Sequence, residues 1–150
     1  MNGKERQPSR YFGRNLTNLP SKPLPLEYLC SQDKPVRYEE QLTVRQPHLM
    51  EMRRILVEWM CEVHQKFKLC QETLFIAVGI MDRVMYAIDV PAEQLQLLCS
   101  TALWVAAKYE EIYPPHLKYF AEVSDGAFTK IDVLRMEETI IKSLNFKVTF

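Results

Sequence analysis

Glycine, cysteine and histidine are all scarce in this chain. It has only 4 glycines, 4 cysteines and 3 histidines among its 150 residues. Gly79 and Gly126 stand alone, so there is no glycine-rich loop that could hold a phosphate group. The histidines lie far apart and lack the spacing of metal ligands. These gaps argue against an enzyme, and we predict a binding protein with no catalytic residue, no metal and no other cofactor.

The chain also lacks an excess of charge and any long apolar run. Its 19 basic and 19 acidic residues cancel, which gives no indication of nucleic acid or a membrane as partner. No apolar run approaches a membrane span, and the polar N-terminus does not resemble a signal peptide. The sequence therefore predicts a protein of a reducing, intracellular compartment. Four cysteines without a C-x-x-C pair are interpreted as free thiols, most of them small core residues: Cys30, Cys61, Cys70 and Cys99.

Composition divides the chain into three regions. Residues 1–25 hold four of the nine prolines and are rich in Lys and Arg. They have too little apolar surface to offset the entropy of ordering, so we predict a mostly disordered basic tail. Residues 26–46 are predicted to be a linker, in which one short helical turn could form before Pro35 interrupts it. Residues 47–150 are predicted to form a single domain.

Hydrophobic periodicity in residues 47–150 predicts an all-α fold of five helices. The expected helices cover about 48–67, about 71–86, from Pro91 to as far as Tyr113, 116 to about 121, and 129–144. The second and third are apolar on almost every side, so both should be buried. The segment Thr129-Lys130-Ile131-Asp132 resembles a capping box, which is a hydrogen-bond pattern that begins helices.

The first predicted helix carries two apolar stripes side by side. One of them is spaced to dock the helix on a core, and its members are Leu56, Met60, Val63 and Phe67. We name the other the shoulder stripe, and it consists of Met52, Ile55, Trp59 and Glu62. A helix that only closes a core usually carries polar groups on that shoulder. The stripe is therefore either part of a wide buried face or an exposed docking patch.

Two charged residues fall on otherwise apolar stripes. Lys108 shares a stripe with Leu97 and Trp104 in the third helix, and Glu137 shares one with Val133 in the fifth. Because burying a lone charge is costly, each needs a partner. One interpretation is an internal ion pair or a charge at the edge of solvent. The other is a pair that binds the backbone of another protein.

Three blocks of sequence resemble the cyclin family. They are MRRILVEWMCEV at 52–63, LQLLCSTALWVAAKYEEIYPP at 95–115 and VLRMEETIIKSLNF at 133–146. The blocks keep the order and spacing of cyclins, and the likeness covers about 47–148. Their amino-acid sequences are most similar to those of A- and B-type mitotic cyclins. The resemblance identifies 47–150 as an N-terminal cyclin box, which is a single five-helix repeat.

The resemblance implies a regulatory subunit that binds and activates a cyclin-dependent Ser/Thr kinase in cell-cycle control, in the nucleus and cytoplasm. By their positions, four residues match kinase contacts of the family: Lys108, Glu137, Phe146 and Val148. A further six match a patch that docks Arg-x-Leu segments of substrates and inhibitors: Met52, Ile55, Trp59, Glu62, Leu95 and Gln96. Apolar wells would take the leucine and Glu62 the arginine, so the resemblance favours the docking interpretation of the shoulder stripe.

Some features depart from the family pattern. Arg54 replaces the usual alanine in the first block and adds a charge beside the docking patch. Cyclins continue into a second repeat beyond the position of Phe150, so a fragment, a truncated product and a one-box cyclin all stay open. The alternative function is a cyclin-fold transcription adaptor that binds nucleic acid or a general transcription factor. From Pro47 onward, basic residues are interleaved with acidic ones and do not form a basic stripe. The sequence therefore favours the kinase regulator over this alternative.

Overall fold

Five α-helices follow one another along residues 47–148, which is the part of the chain that the computed structural model describes. They are α1 (Pro47–Phe67), α2 (Gln71–Ala87), α3 (Leu95–Glu110), α4 (Leu117–Glu122) and α5 (Lys130–Ser143), with a 3-10 turn at Ala92–Gln94. This part of the chain contains no strand, and the all-α prediction is confirmed. The predicted tail (1–25) and linker (26–46) lie outside the described residues. No described helix is both long and apolar enough to cross a lipid bilayer.

Local sequence determines where α5 begins. Thr129 Oγ1 accepts a hydrogen bond from the Asp132 N–H, and the Asp132 carboxylate accepts one from the Thr129 N–H. Each of these bonds satisfies a backbone donor that the first turn of a helix would otherwise leave without a partner. The predicted capping box is therefore confirmed, with Asp in place of the usual Glu.

Helix α3 ends earlier than its sequence predicts. Its last residue is Glu110, not Tyr113, and Glu111 is already extended, with φ −79° and ψ 139°. The Pro114 ring disfavours helical geometry at Tyr113. In addition, the Glu111 side chain binds the start of another helix, as described below. The prediction for this boundary is therefore wrong.

Helix α3 is the centre of the domain, because it contacts each of the other four helices. Three small residues on it are completely buried and let those neighbours approach closely: Ala102, Ala106 and Ala107. The prediction that the third helix is buried is confirmed. Helix α2 is less enclosed than predicted, since Phe75 and Ile76 remain half-buried.

A buried ion pair joins α1 to α2. Arg53 donates from Nε to Asp82 Oδ1 at 2.6 Å and from a terminal nitrogen to Oδ2 at 2.8 Å. The two side chains are only 7% and 6% exposed. This two-bond geometry satisfies both charges inside the core, where either alone would be costly. Periodicity did not predict the pair, although an aspartate in the apolar middle of α2 was a signal for it.

Candidate functional site

An ion pair joins α3 to α5 at the surface. Lys108 Nζ donates a hydrogen bond to Glu137 Oε1, and the side chains are 38% and 20% exposed. Lys108 Nζ also lies 4.7 Å from the ring centroid of Trp104, one turn earlier on α3, where a cation is attracted to the ring face. The structure therefore brings together two residues that the resemblance assigns to kinase binding. In this chain they are each other's partner at the edge of solvent.

Exposed apolar side chains continue along the chain from this ion pair. Tyr109 directly follows Lys108 and is 58% exposed, and beyond the end of α3 Ile112 and Tyr113 are 87% and 92% exposed. Large apolar residues exposed together mark interaction surfaces. Sequence reasoning missed these three residues. The signal that could have found them is a run of large apolar residues on both sides of an acidic pair, directly before two prolines.

The remaining predicted kinase contacts follow the end of α5. Phe146 is 76% exposed, whereas Val148 is half-buried and packs against the core. Arg83 on α2 donates to the carbonyl oxygens of Val148 at 3.1 Å and Lys147 at 2.6 Å. The segment that carries Phe146 is therefore bound back onto α2.

Glu111 joins the end of α3 to the start of α2. Its Oε1 accepts hydrogen bonds from the Cys70 N–H and from Thr73 Oγ1, both at 2.6 Å. His64 Nε2 lies 2.9 Å from the Cys70 carbonyl oxygen on the other side of the same turn. A carboxylate suits a helix N-terminus, where unsatisfied N–H groups and the helix dipole favour negative charge. These bonds fix the start of the segment that presents residues 112–113.

The Glu111 contacts predict a pH-dependent stability. Burial raises the pKa of Glu111, but hydrogen bonds from Thr73 and Cys70, with His64 nearby, outweigh burial and hold this pKa below its ordinary value. A lowered folded-state pKa gives stability that is present above the ordinary pKa and lost as pH falls through the folded-state pKa. We expect Glu111→Gln to lower the free energy of unfolding at neutral pH by about 1 kcal/mol.

Urea unfolding of the 150-residue chain between neutral pH and about pH 3 tests this expectation. The loss of stability on acidification should be smaller in Glu111→Gln than in the parent chain. Glu110→Gln is the matched control, because Glu110 is the exposed neighbour and should leave the profile unchanged. Identical acid profiles for the parent and Glu111→Gln would contradict the assigned hydrogen bonds.

Most of the predicted docking patch is buried, so the expectation that it is exposed is wrong. Four of its members are at most 4% exposed: Ile55, Trp59, Leu95 and Gln96. Met52 and Glu62 are half-buried. The physical reason is that α1 packs against both α2 and α3, so Ile55 and Trp59 join the hydrophobic core along with the first stripe. Whether Arg-x-Leu segments bind here is a separate question and stays a prediction.

Two polar details accompany this buried face. Trp59 Nε1 is buried and has no hydrogen-bond acceptor among residues 47–148, and leaving such a donor unpaired typically costs about 1–3 kcal/mol. Arg54, the residue that departs from the family pattern, forms an ion pair with Glu51 on the same helix. A terminal nitrogen of Arg54 lies 3.6 Å from Glu51 Oε2, and 27% of the Arg54 side chain is exposed. The added charge therefore has a local partner on α1.

Cysteine chemistry contributes no site among the described residues. Cys61, Cys70 and Cys99 are free thiols, as predicted, and Cys30 lies outside the described range. Cys99 is buried, but Cys61 and Cys70 are half-buried, so the expectation that most cysteines are core residues is wrong for these three. Burial, followed by the nearby carboxylates of Glu58 and Glu62, raises the pKa of Cys61 to about 11, so this thiol stays protonated at neutral pH. Within residues 47–148 no cluster of three His, Cys, Asp or Glu side chains could hold a metal ion.

The chain is similar in sequence to the cyclins. The cyclin N-terminal domain family matches residues 26–149. A G2/mitotic-specific cyclin-B2 of Oryzias javanicus is 44% identical over 117 residues, covering 73% of this chain and 30% of that protein. A G2/mitotic-specific cyclin-B of Spisula solidissima is 46% identical over 95 residues, covering 63% and 22%. For the cyclin-B2 of Homo sapiens, 42% identity over 122 residues covers 75% and 31%. The chain thus spans less than a third of the length of these relatives.

Proposed function

Because this chain belongs to the cyclin family and its relatives are B-type mitotic cyclins, we propose that it binds and activates a cyclin-dependent kinase during cell division. It acts as a regulatory subunit in the nucleus and cytoplasm and supplies no catalytic group or cofactor. The observation that carries the proposal is the ion pair of Lys108 and Glu137 beside the exposed ring of Tyr109.

The chemistry of this surface suits a protein backbone as ligand. An ammonium group has three donors, and Glu137 takes one of them, so Lys108 keeps donors for carbonyl groups of a partner. The second oxygen of Glu137 can accept from a backbone N–H at the same time. Tyr109, the residue after Lys108, adds exposed apolar area, which favours association by roughly 25 cal/mol per Å² removed from water. We propose that the exposed Phe146 contacts the same kinase. A partner that offers both backbone groups and apolar side chains is a protein.

Removing either charge should weaken kinase binding and leave the fold intact. Because both side chains are partly exposed, we expect Lys108→Ala and Glu137→Ala each to cost about 2 kcal/mol of affinity, roughly thirtyfold in Kd. The free energy of unfolding should change by about 1 kcal/mol or less, as is typical of surface ion pairs. Calorimetry against a panel of purified cyclin-dependent kinases, with a kinase assay and thermal melts, measures all three quantities.

Lys142→Ala is the matched control for this experiment. Lys142 pairs with Glu138 on the same helix, but these side chains are 67% and 64% exposed, so the change should leave kinase affinity within about twofold. Unchanged kinase affinity in both Lys108→Ala and Glu137→Ala would overturn the proposed interface. A nucleic-acid shift assay on the parent chain tests the adaptor alternative, and specific binding there would favour it.

We further propose that Arg-x-Leu segments dock at the edge of the shoulder stripe, where Met52 and Glu62 remain half-buried. Glu62 supplies a carboxylate for the arginine. Because Trp59 is covered in this structure, docking of the leucine requires a movement that uncovers the ring. A carbonyl of the peptide then supplies the acceptor that Trp59 Nε1 lacks.

Peptide calorimetry on the parent chain and on Glu62→Gln tests the proposed docking of Arg-x-Leu segments, with a peptide lacking the arginine as control. Equal binding in all four pairings of the two proteins with the two peptides would overturn it.

A further inference from the structure

The end of α5 is a hydrogen-bonded turn that changes the direction of the chain. The Asn145 N–H donates to the Lys142 carbonyl at 3.1 Å, and the Phe146 N–H donates to the Ile141 carbonyl at 3.0 Å. These two bonds form a Schellman motif, in which the first residue beyond the helix cap takes the left-handed conformation. Asn145 fills that position with φ 49°, and asparagine tolerates it well.

Phe146 is the unusual residue of this turn. Its φ is also positive, at 62°, and a bulky L-residue is sterically disfavoured in that region. Burial does not compensate for this cost, because the ring is 76% exposed. An exposed aromatic side chain in a strained backbone conformation is not what folding alone favours. The combination therefore points to a contact with another molecule.

Arg83 holds the two residues that follow. Its terminal nitrogens donate to the Val148 carbonyl at 3.1 Å and to the Lys147 carbonyl at 2.6 Å. A planar guanidinium can reach two neighbouring carbonyl groups at once, which a lysine ammonium does less well. Because these carbonyls come directly after Phe146, the two bonds fix the direction in which the chain leaves the strained turn.

We propose that Arg83 is a positioning residue for kinase binding. By binding the Lys147 and Val148 carbonyls from α2, it keeps Phe146 in its exposed conformation before the kinase arrives. The inference rests on the proposed function, in which Phe146 contacts the kinase. Without Arg83 the turn relaxes toward negative φ at Phe146, and the ring must be ordered again on binding, which weakens affinity.

A double-mutant cycle between Arg83→Gln and Phe146→Ala tests this role. The ligand is the kinase of the panel that binds the parent chain most tightly. We expect Phe146→Ala to raise Kd by about thirtyfold and Arg83→Gln to raise it by between about twofold and tenfold. The double variant should bind no more weakly than Phe146→Ala alone, because Arg83 acts through that ring. Arg83→Lys should lie between the parent chain and Arg83→Gln.

Arg135→Lys, at an exposed arginine of α5, controls for arginine replacement and should leave Kd unchanged. Circular dichroism and thermal melts verify that each variant folds. If Phe146→Ala binds the kinase like the parent chain, the Phe146 contact of the proposed function fails, and this inference fails with it. If Phe146→Ala weakens binding but Arg83→Gln does not, or if the two effects add, the kinase contact stands and the positioning role is overturned.

Discussion

Replacement of Asp82 by alanine should lower the free energy of unfolding by about 3–5 kcal/mol. The change leaves the Arg53 guanidinium in the core without the carboxylate that takes two of its hydrogen bonds. Arg53 is only 6% exposed, so water cannot replace those bonds without opening the contact between α1 and α2. A loss of this size is a large part of the roughly 5–15 kcal/mol that stabilises a typical domain. Urea unfolding monitored by circular dichroism measures it.

Two variants show whether the loss comes from an unpaired buried charge. Arg53→Met combined with Asp82→Leu removes both charges and should be far milder than Asp82→Ala, since apolar replacement of a buried pair is often neutral. Glu138→Ala breaks the exposed pair with Lys142 and should cost about 0.5 kcal/mol or less. If Asp82→Ala cost no more than Glu138→Ala, the buried pair would not be an important part of the fold.

Trp59→Ala should destabilise the chain by about 3–5 kcal/mol, at least as much as Leu56→Ala at about 2–5 kcal/mol. Both side chains are completely buried, and Trp59 is the larger, so its truncation leaves the larger cavity. An exposed docking patch, which the resemblance favours for the shoulder stripe, would give the opposite order, because truncating an exposed ring leaves no cavity. Chemical unfolding of both variants measures the order.

Met52→Ala is the matched control for the Trp59 measurement, because Met52 is the half-buried apolar member of the same stripe. It should cost clearly less than Trp59→Ala, at about 1 kcal/mol. If chemical unfolding showed that Trp59→Ala destabilises the chain less than Met52→Ala, the Trp59 ring would be exposed in solution. The docking patch would then need no movement to open.

The number, type and order of the helices were predictable because local patterns set them. Apolar periodicity identified five helices, and the Thr129–Asp132 capping box lies within four consecutive residues. The end of α3 was not predictable in the same way. Glu111 leaves the helix to bind Cys70 and Thr73, which are 41 and 38 residues away in the chain. No window of a few residues contains that interaction.

The site was predictable only where chemistry required a partner. A charge on an apolar stripe needs an opposite charge, and Lys108 and Glu137 do meet. Periodicity shows which residues share a helix face but not what covers that face, so the burial of Trp59 was beyond it. Arg83 was missed for a different reason. Its acceptors are main-chain carbonyls, and every residue has one, so no side-chain pattern marks them.

The central position of α3 gives the two halves of the proposed kinase surface different rigidity. Lys108 lies in the last turn of a helix that four others surround, so a displacement of its backbone would disturb the whole core. Phe146 is attached to a short segment held by a few hydrogen bonds. In amide hydrogen exchange, protons of α3 should therefore exchange only through global unfolding, while those of residues 145–148 exchange through local opening. The charged half is therefore held in place by the whole core, and the aromatic half by local hydrogen bonds such as those of Arg83.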